Sequence, residues 1–130
     1  MKTILVADDE PGIRRVIQIN LERAGYRIET AENGQQAWER LQKGGIDLLI
    51  TDIAMPIMDG FELAELVRTS DKPLASLPVI FLLIFLNGSP DPRRHVKPEW
   101  NSAYLCKPFD PQDLIRILNR RLGSASDTVQ

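Results

Sequence analysis

Four side chains in this sequence could do chemistry together: Asp8, Asp9, Asp52 and Lys107. The two adjacent carboxylates directly follow the apolar run Thr3-Ile4-Leu5-Val6-Ala7. Asp52 directly follows residues 47–51, and Lys107 follows residues 104–106. An aspartate at such a place is commonly a turn residue or a helix cap, and a Lys-Pro pair is commonly a loop. Their joint occurrence at three strand ends is what carries weight. In a doubly wound parallel sheet, ligands bind beyond the carboxyl ends of the strands, near the point where strand order reverses. If the first and third strands are neighbours, the three carboxylates meet there. Clustered carboxylates repel, which raises at least one pKa unless a cation neutralises them. Hard oxygen donors favour Mg²⁺, which keeps several waters and takes one or two carboxylates plus a phosphate oxygen. Lys107 would add a fixed positive charge. A carboxylate nucleophile, a divalent ion and a fixed cation are the parts phosphoryl transfer needs, because its catalysis is mostly positioning and charge neutralisation.

The elements that must position these groups alternate between strand and helix. Thr3–Ala7 is short, apolar and β-branched, as suits a strand buried on both faces. Ile13, Val16, Ile17, Leu21 and Ala24 recur at helical spacing, and Gly25 stops that helix. Arg27–Ala31 reads as a polar-flanked edge strand. Asn33 is an N-cap for a helix whose inner face carries Gly34, Ala37, Trp38 and Leu41, ended by Gly44-Gly45. Residues 47–51 are a third strand, 61–69 a helix with Leu63, Leu66 and Val67 inward, Val79–Leu83 a fourth strand and 104–106 a fifth. Asp110-Pro111 starts a last helix with Leu114, Ile117, Leu118 and Leu122 on one stripe. Strands alternating with helices imply a parallel sheet covered on both faces. The segment 89–101 should hold a helix but contains Pro90, Pro92 and Pro98, so one or two turns at most are expected there. Residues 1–122 read as one domain and 123–130 as a flexible tail, with no room in this segment for a separate DNA-binding domain after Leu122.

Composition excludes several function classes. The chain has 130 residues with 43% hydrophobic and 26% charged, enough apolar material for one core without disulfides. The formal net charge of −2 gives no global reason to bind nucleic acid. The single cysteine, Cys106, forbids an intrachain disulfide and fits a reducing, cytoplasmic compartment. No signal peptide is expected, and the longest apolar run is too short to span a bilayer. Cys106 is expected as a small buried side chain, Trp38, Met55 and Met58 as packing, and His95 as a solvated loop residue. Arg14-Arg15, Arg93-Arg94 and Arg120-Arg121 are expected on solvated faces. Trp100 is left open between packing and a partner anchor.

With these residues in place, the sequence resembles the receiver domains of two-component response regulators, which are CheY-like. Asp8-Asp9-Glu10-Pro11 resembles the family's acidic pair. Asp52-Ile53-Ala54-Met55-Pro56-Ile57-Met58-Asp59-Gly60 resembles its phosphoacceptor strand end and following loop, and Tyr104-Leu105-Cys106-Lys107-Pro108-Phe109 resembles its Lys-Pro segment. The similarity runs from about Lys2 to Leu122. The resemblance implies a flavodoxin-like α/β fold of five parallel strands in order 2-1-3-4-5. It implies a signalling phosphoacceptor rather than an enzyme, with Asp52 phosphorylated by a histidine kinase, a phosphotransfer protein or a small phosphodonor. It also implies Mg²⁺ held by Asp8 or Asp9, Asp52 and the backbone carbonyl of Ala54, with Lys107 pairing the phosphoryl oxygens and a cis Lys107-Pro108 bond. A monomer or weak homodimer acting on an unidentified effector is expected, with no nucleic-acid or membrane partner for this segment.

The sequence departs from the family at the fourth strand. The family's Ser or Thr aligns with Leu83, which can neither donate nor accept a hydrogen bond, while Tyr104 keeps the coupled aromatic position. Asn87 or Ser89 could approach the pocket only out of strand register. The stretch 83–107 is also longer than usual, and Trp100-Asn101 replaces the usual small pair before the fifth strand. The acceptor chemistry therefore reads as intact and its readout as altered. Phe85 is expected to shield the acyl phosphate from water. The alternative is a phosphorylation-independent interaction module on the same fold. A flavodoxin-like cofactor carrier is disfavoured because Asp8-Asp9-Glu10 would repel a phosphate where such carriers bind one. No G-x-G-x-x-G or P-loop is present. A phosphatase working through aspartyl phosphate is disfavoured by the absence of Asp-x-Asp at residues 52–54 and of any substrate cap.

Overall fold

Three of the five strands bury every residue they contain, and this decides the architecture. They are β1 (Thr3–Ala7), β3 (Leu48–Asp52) and β4 (Val79–Leu83). Strands buried on both faces need layers on both sides. The computed structural model describes residues 1–71, 73–84, 88, 90–95 and 101–123. The remaining elements are α1 (Pro11–Arg23), β2 (Arg27–Ala31), α2 (Gly34–Leu41), α3 (Gly60–Arg68), β5 (Ser102–Cys106) and α4 (Pro111–Leu122). Among the described residues, two 3₁₀ turns, Leu74–Ser76 and Pro92–His95, lie in the connections. The sheet is parallel throughout, in order β2-β1-β3-β4-β5, as expected.

Side chains alternate across a strand, and the core divides accordingly. Ile4, Val6, Leu48, Ile50, Ile80 and Leu82 face α1 and α4, where Ile17, Leu21, Leu114 and Leu118 complete one cluster. Leu5, Ala7, Leu49, Phe81 and Leu83 face α2 and α3, where Ala37, Leu41, Leu63 and Val67 complete the other. Each such aliphatic side chain, fully buried, contributes about 1.5–3 kcal/mol, so the central strands dominate the stability of the sheet.

Local signals set the helix starts. Asn33 Oδ1 accepts from the Gln36 N–H at 2.8 Å, and Asp110 Oδ1 from the Gln112 N–H at 2.9 Å. Asp59 and Glu62 form a reciprocal capping box at the head of α3. Three expectations need correction. Val16 is 50% exposed rather than part of the core stripe, because Ile17 and Leu21 suffice to seat α1 on the sheet. Cys106 is exposed rather than buried, since it is the last residue of the edge strand β5. Strand β3 begins at Leu48 rather than Asp47, whose carboxylate instead accepts from the Thr3 N–H at 2.8 Å.

Between β4 and β5 the described residues contain a single 3₁₀ turn, opened by Pro92 and closed by His95. Phe85, Asn87, Ser89, Pro98, Trp100 and the tail 124–130 lie outside the described residues. Among the described residues no helix is long and apolar enough to cross a membrane.

Candidate functional site

The strand order reverses between β1 and β3, the neighbouring strands from which the chain turns outward in opposite directions. The carboxyl ends of these two strands carry Asp8, Asp9 and Asp52. Oxygen atoms of Asp8, Asp9, Glu10 and Asp52 all lie within 4.8 Å of one another. The structure therefore brings together the three aspartates singled out from sequence and adds Glu10. The sequence signal for Glu10 was simply its place next to the pair, but its side-chain direction depends on how α1 leaves the strand.

Lys107 comes from the end of β5 and crosses to the same point. Its Nζ donates to Asp8 Oδ2 at 3.0 Å and lies 3.5 Å from both Glu10 Oε1 and Asp52 Oδ2. Its position follows from the sheet: the Lys107 N–H donates to the Leu83 carbonyl at 2.6 Å, extending the ladder one step past Cys106. The Lys107-Pro108 bond is cis, as expected.

Asp8 is fully buried and held from every side. Its N–H donates to the Ala31 carbonyl at 3.2 Å. Its Oδ1 accepts from the Glu10 N–H at 3.0 Å, its Oδ2 accepts from Lys107, and its carbonyl oxygen accepts from Arg14 Nη1 at 2.7 Å. The Arg14-Arg15 doublet reads in sequence as a solvated helix face, but Arg14 turns back onto the acidic loop. A contact between α1 and its own preceding loop has no marker in residue order.

Asp52 is 7% exposed, and its Oδ1 accepts from the Ile53 N–H at 2.9 Å. Burial, and then the negative charge of Asp8, push its carboxyl up to about 6, against the opposing pull of Lys107 and the Ile53 N–H. Burial works to lower the Lys107 ammonium, but the Asp8 hydrogen bond and the charges of Asp52, Asp8 and Glu10 outweigh it and raise the pKa. Three carboxylates thus face one ammonium, and negative charge remains in excess.

Beyond Asp52 the loop closes tightly. The Gly60 N–H donates to the Ile53 carbonyl at 2.8 Å, and a Cβ at Gly60 would stand 2.3 Å from the Asp52 carbonyl oxygen. Only glycine permits that approach. Met58 donates to the Pro56 carbonyl across Ile57, which is held at φ 72°. A cavity of about 330 Å³ lies over the carboxylates, lined by Asp9, Glu10, Asp52, Ile53, Ala54, Leu82 and Ile84. Ala54 is exposed at this mouth.

Leu83 does not line that cavity. Strand alternation sends it to the opposite face, 1% exposed, into the cluster containing Met55 and Phe81. Tyr104 is half-buried against the same cluster and stacks on Phe81 with ring centroids 6.4 Å apart. The β4 side chains facing the acid pocket are Leu82, in register with Asp52, and Ile84, which is 55% exposed.

The donor set fits a hard divalent cation. All four candidate groups are carboxylates, they converge from two strand ends, and three of them face the single Lys107 ammonium.

A family model described as "Response regulator receiver domain" matches residues 4–119. The chain is 39% identical over 126 residues to the response regulator receiver protein CpdR of Brucella abortus, covering 96% of this chain and 100% of that protein. It spans about half the length of several other curated relatives. Among solved structures it is similar to the chemotaxis protein CheY4 of Vibrio cholerae, with TM-score 0.82, 34% identity and coverage of 94% of this chain and 99% of that one. It is also similar to the response regulator TrrA of Thermotoga maritima in complex with Mg²⁺-BeF, with TM-score 0.78, 35% identity and coverage of 94% and 100%. A structure of the histidine kinase ThkA in complex with TrrA matches with TM-score 0.76 and 34% identity over 94% of this chain and 99% of that one.

Proposed function

The chain belongs to the response regulator receiver domains, which are signalling phosphoacceptors rather than enzymes, and on that premise we propose that Asp52 takes up a phosphoryl group beside a bound Mg²⁺. The observation that carries this reading is the convergence of Asp8, Asp9, Glu10 and Asp52 within 4.8 Å, with the Lys107 ammonium 3.5 Å from Asp52 Oδ2.

The Ile53 N–H occupies Oδ1 of Asp52, which leaves Oδ2, the oxygen facing Lys107, as the nucleophile. With a carboxyl pKa of about 6, Asp52 is ionised at neutral pH and able to attack phosphorus. The new bond joins Oδ2 to phosphorus as the bond from phosphorus to the donor breaks. Lys107 stabilises negative charge on the phosphoryl oxygens as it moves from one anion to the next. Asp8, Asp9, Asp52 and the Ala54 carbonyl would hold Mg²⁺, whose contribution is to neutralise the oxygens of the transferred group. The donor is a phosphohistidine on a sensor kinase or phosphotransfer protein, a reading supported by the ThkA–TrrA complex. The TrrA complex with Mg²⁺-BeF supports the metal in the same way. The reading includes a cytoplasmic location and an effector whose binding changes on phosphorylation.

Leu83 favours a second reading for the output. An apolar side chain buried on the face away from the pocket has no hydroxyl to report phosphorylation to Tyr104. Under that reading the fold is a phosphorylation-independent interaction module. Incubation with acetyl phosphate and Mg²⁺ followed by intact mass separates the two. The expected result is one phosphoryl adduct on the wild type and none on Asp52→Asn. No adduct, under conditions that modify a control receiver, rejects the phosphoacceptor reading; a melting point unmoved by millimolar Mg²⁺ would support the interaction module.

A further inference from the structure

The acidic loop is gripped by one residue of α1 in two places. The Arg14 N–H donates to the Glu10 carbonyl at 3.1 Å, and its Nη1 donates to the Asp8 carbonyl at 2.7 Å. The main chain of residues 8–10 carries three of the four clustered carboxylates. It lies past the end of the β1–β3 pairing, whose last pair is Ala7 and Thr51. The sheet therefore holds Asp8 through its N–H to Ala31, while Arg14 holds its carbonyl.

We propose that Arg14 is a positioning residue for the divalent-cation site, locking the Asp8 peptide so that the carboxylates of residues 8–10 converge on the ion. The inference rests on the metal reading above and extends it to a residue that offers no ligand atom. Groups behind metal ligands that fix their orientation typically matter by 10–100-fold in metal affinity.

Charge alone predicts the opposite sign. A guanidinium hydrogen-bonded beside the acidic cluster repels an incoming cation, so its removal by a purely electrostatic route would tighten Mg²⁺ binding. Loss of positioning weakens it. The sign of the change therefore distinguishes the two roles.

The test is calorimetric titration of the full chain with Mg²⁺ alone. Arg14→Met keeps the apolar stem and removes the donor, and should weaken Mg²⁺ binding about tenfold or more. Arg14→Lys can still donate to the Asp8 carbonyl and should recover part of the loss. Arg15→Met removes the same charge from an exposed neighbour on the same helix and should stay within about twofold of wild type. If Arg14→Met fails to fold, Arg14→Gln, whose amide is too short to reach, should show the same weakening. Equal or tighter binding in a folded Arg14→Met or Arg14→Gln protein overturns the positioning role. Absence of Mg²⁺ binding in the wild type overturns the metal reading and this inference with it.

Discussion

Replacing Asp52 by Asn should stabilise the metal-free protein, and by much more at pH 8 than at pH 4. The native carboxyl is pushed from 3.8 to about 6, first by burial and then by the charge of Asp8. The folded chain therefore holds that proton more tightly than the unfolded chain. Stability is lost as pH rises from 3.8 through about 6, where the buried group must ionise. A gap of about two units at 1.36 kcal/mol each makes the ionised carboxylate cost about 3 kcal/mol at pH 8 and about 0.5 kcal/mol at pH 4. Lys107 does not mimic this dependence. Its pKa is raised, so its contribution is fully present below the unfolded value of 10.5 and is lost only as pH climbs through the folded value. Asparagine keeps an acceptor for the Ile53 N–H and carries no charge. Urea unfolding in EDTA at the two pH values, on wild type and Asp52→Asn, reads the difference directly. The advantage of the variant should shrink when millimolar Mg²⁺ balances the wild-type cluster. A variant no more stable than wild type at pH 8 in EDTA, or one with the same gain at both pH values, would refute the argument that burial and the Asp8 charge disfavour the ionised carboxylate.

Two backbone positions behind the site give further tests. Ile57 is a β-branched residue at φ 72° and is 78% exposed, so Ile57→Gly relieves strain while giving up little burial; a gain of roughly 1 kcal/mol should appear as a higher urea midpoint, and a lower midpoint would show that the turn is not strained. Gly60→Ala would place a Cβ 2.3 Å from the Asp52 carbonyl oxygen, so it should lose about 1–3 kcal/mol and displace the phosphoacceptor loop, weakening Mg²⁺ binding by calorimetry; unchanged stability would mean that the close approach relaxes freely.

The order of elements was legible in the sequence because each signal is local. A β-branched apolar run marked β1, Asn33 and Asp110 marked helix starts, and glycines marked helix ends. The acidic pair, Asp52 and Lys107 could be named because strand ends are where a parallel sheet binds ligands, and the resemblance supplied the strand order that makes them converge. What residue order could not supply was side-chain direction. Leu83 was aligned with a hydroxyl that should face the phosphoryl group, yet the pleat sends it into the α2–α3 core and leaves Leu82 and Ile84 facing the pocket. Arg14 and Arg15 are neighbours of one type on one helix. A 100° turn between them puts Arg15 in water and Arg14 on the Asp8 carbonyl. Cys106 reads as a small buried side chain, but β5 stands at the sheet edge and its last residue is open. Composition and periodicity determined which elements form and which residues could react. Only the packed sheet decided which face each one turns to, because orientation depends on neighbours distant in sequence.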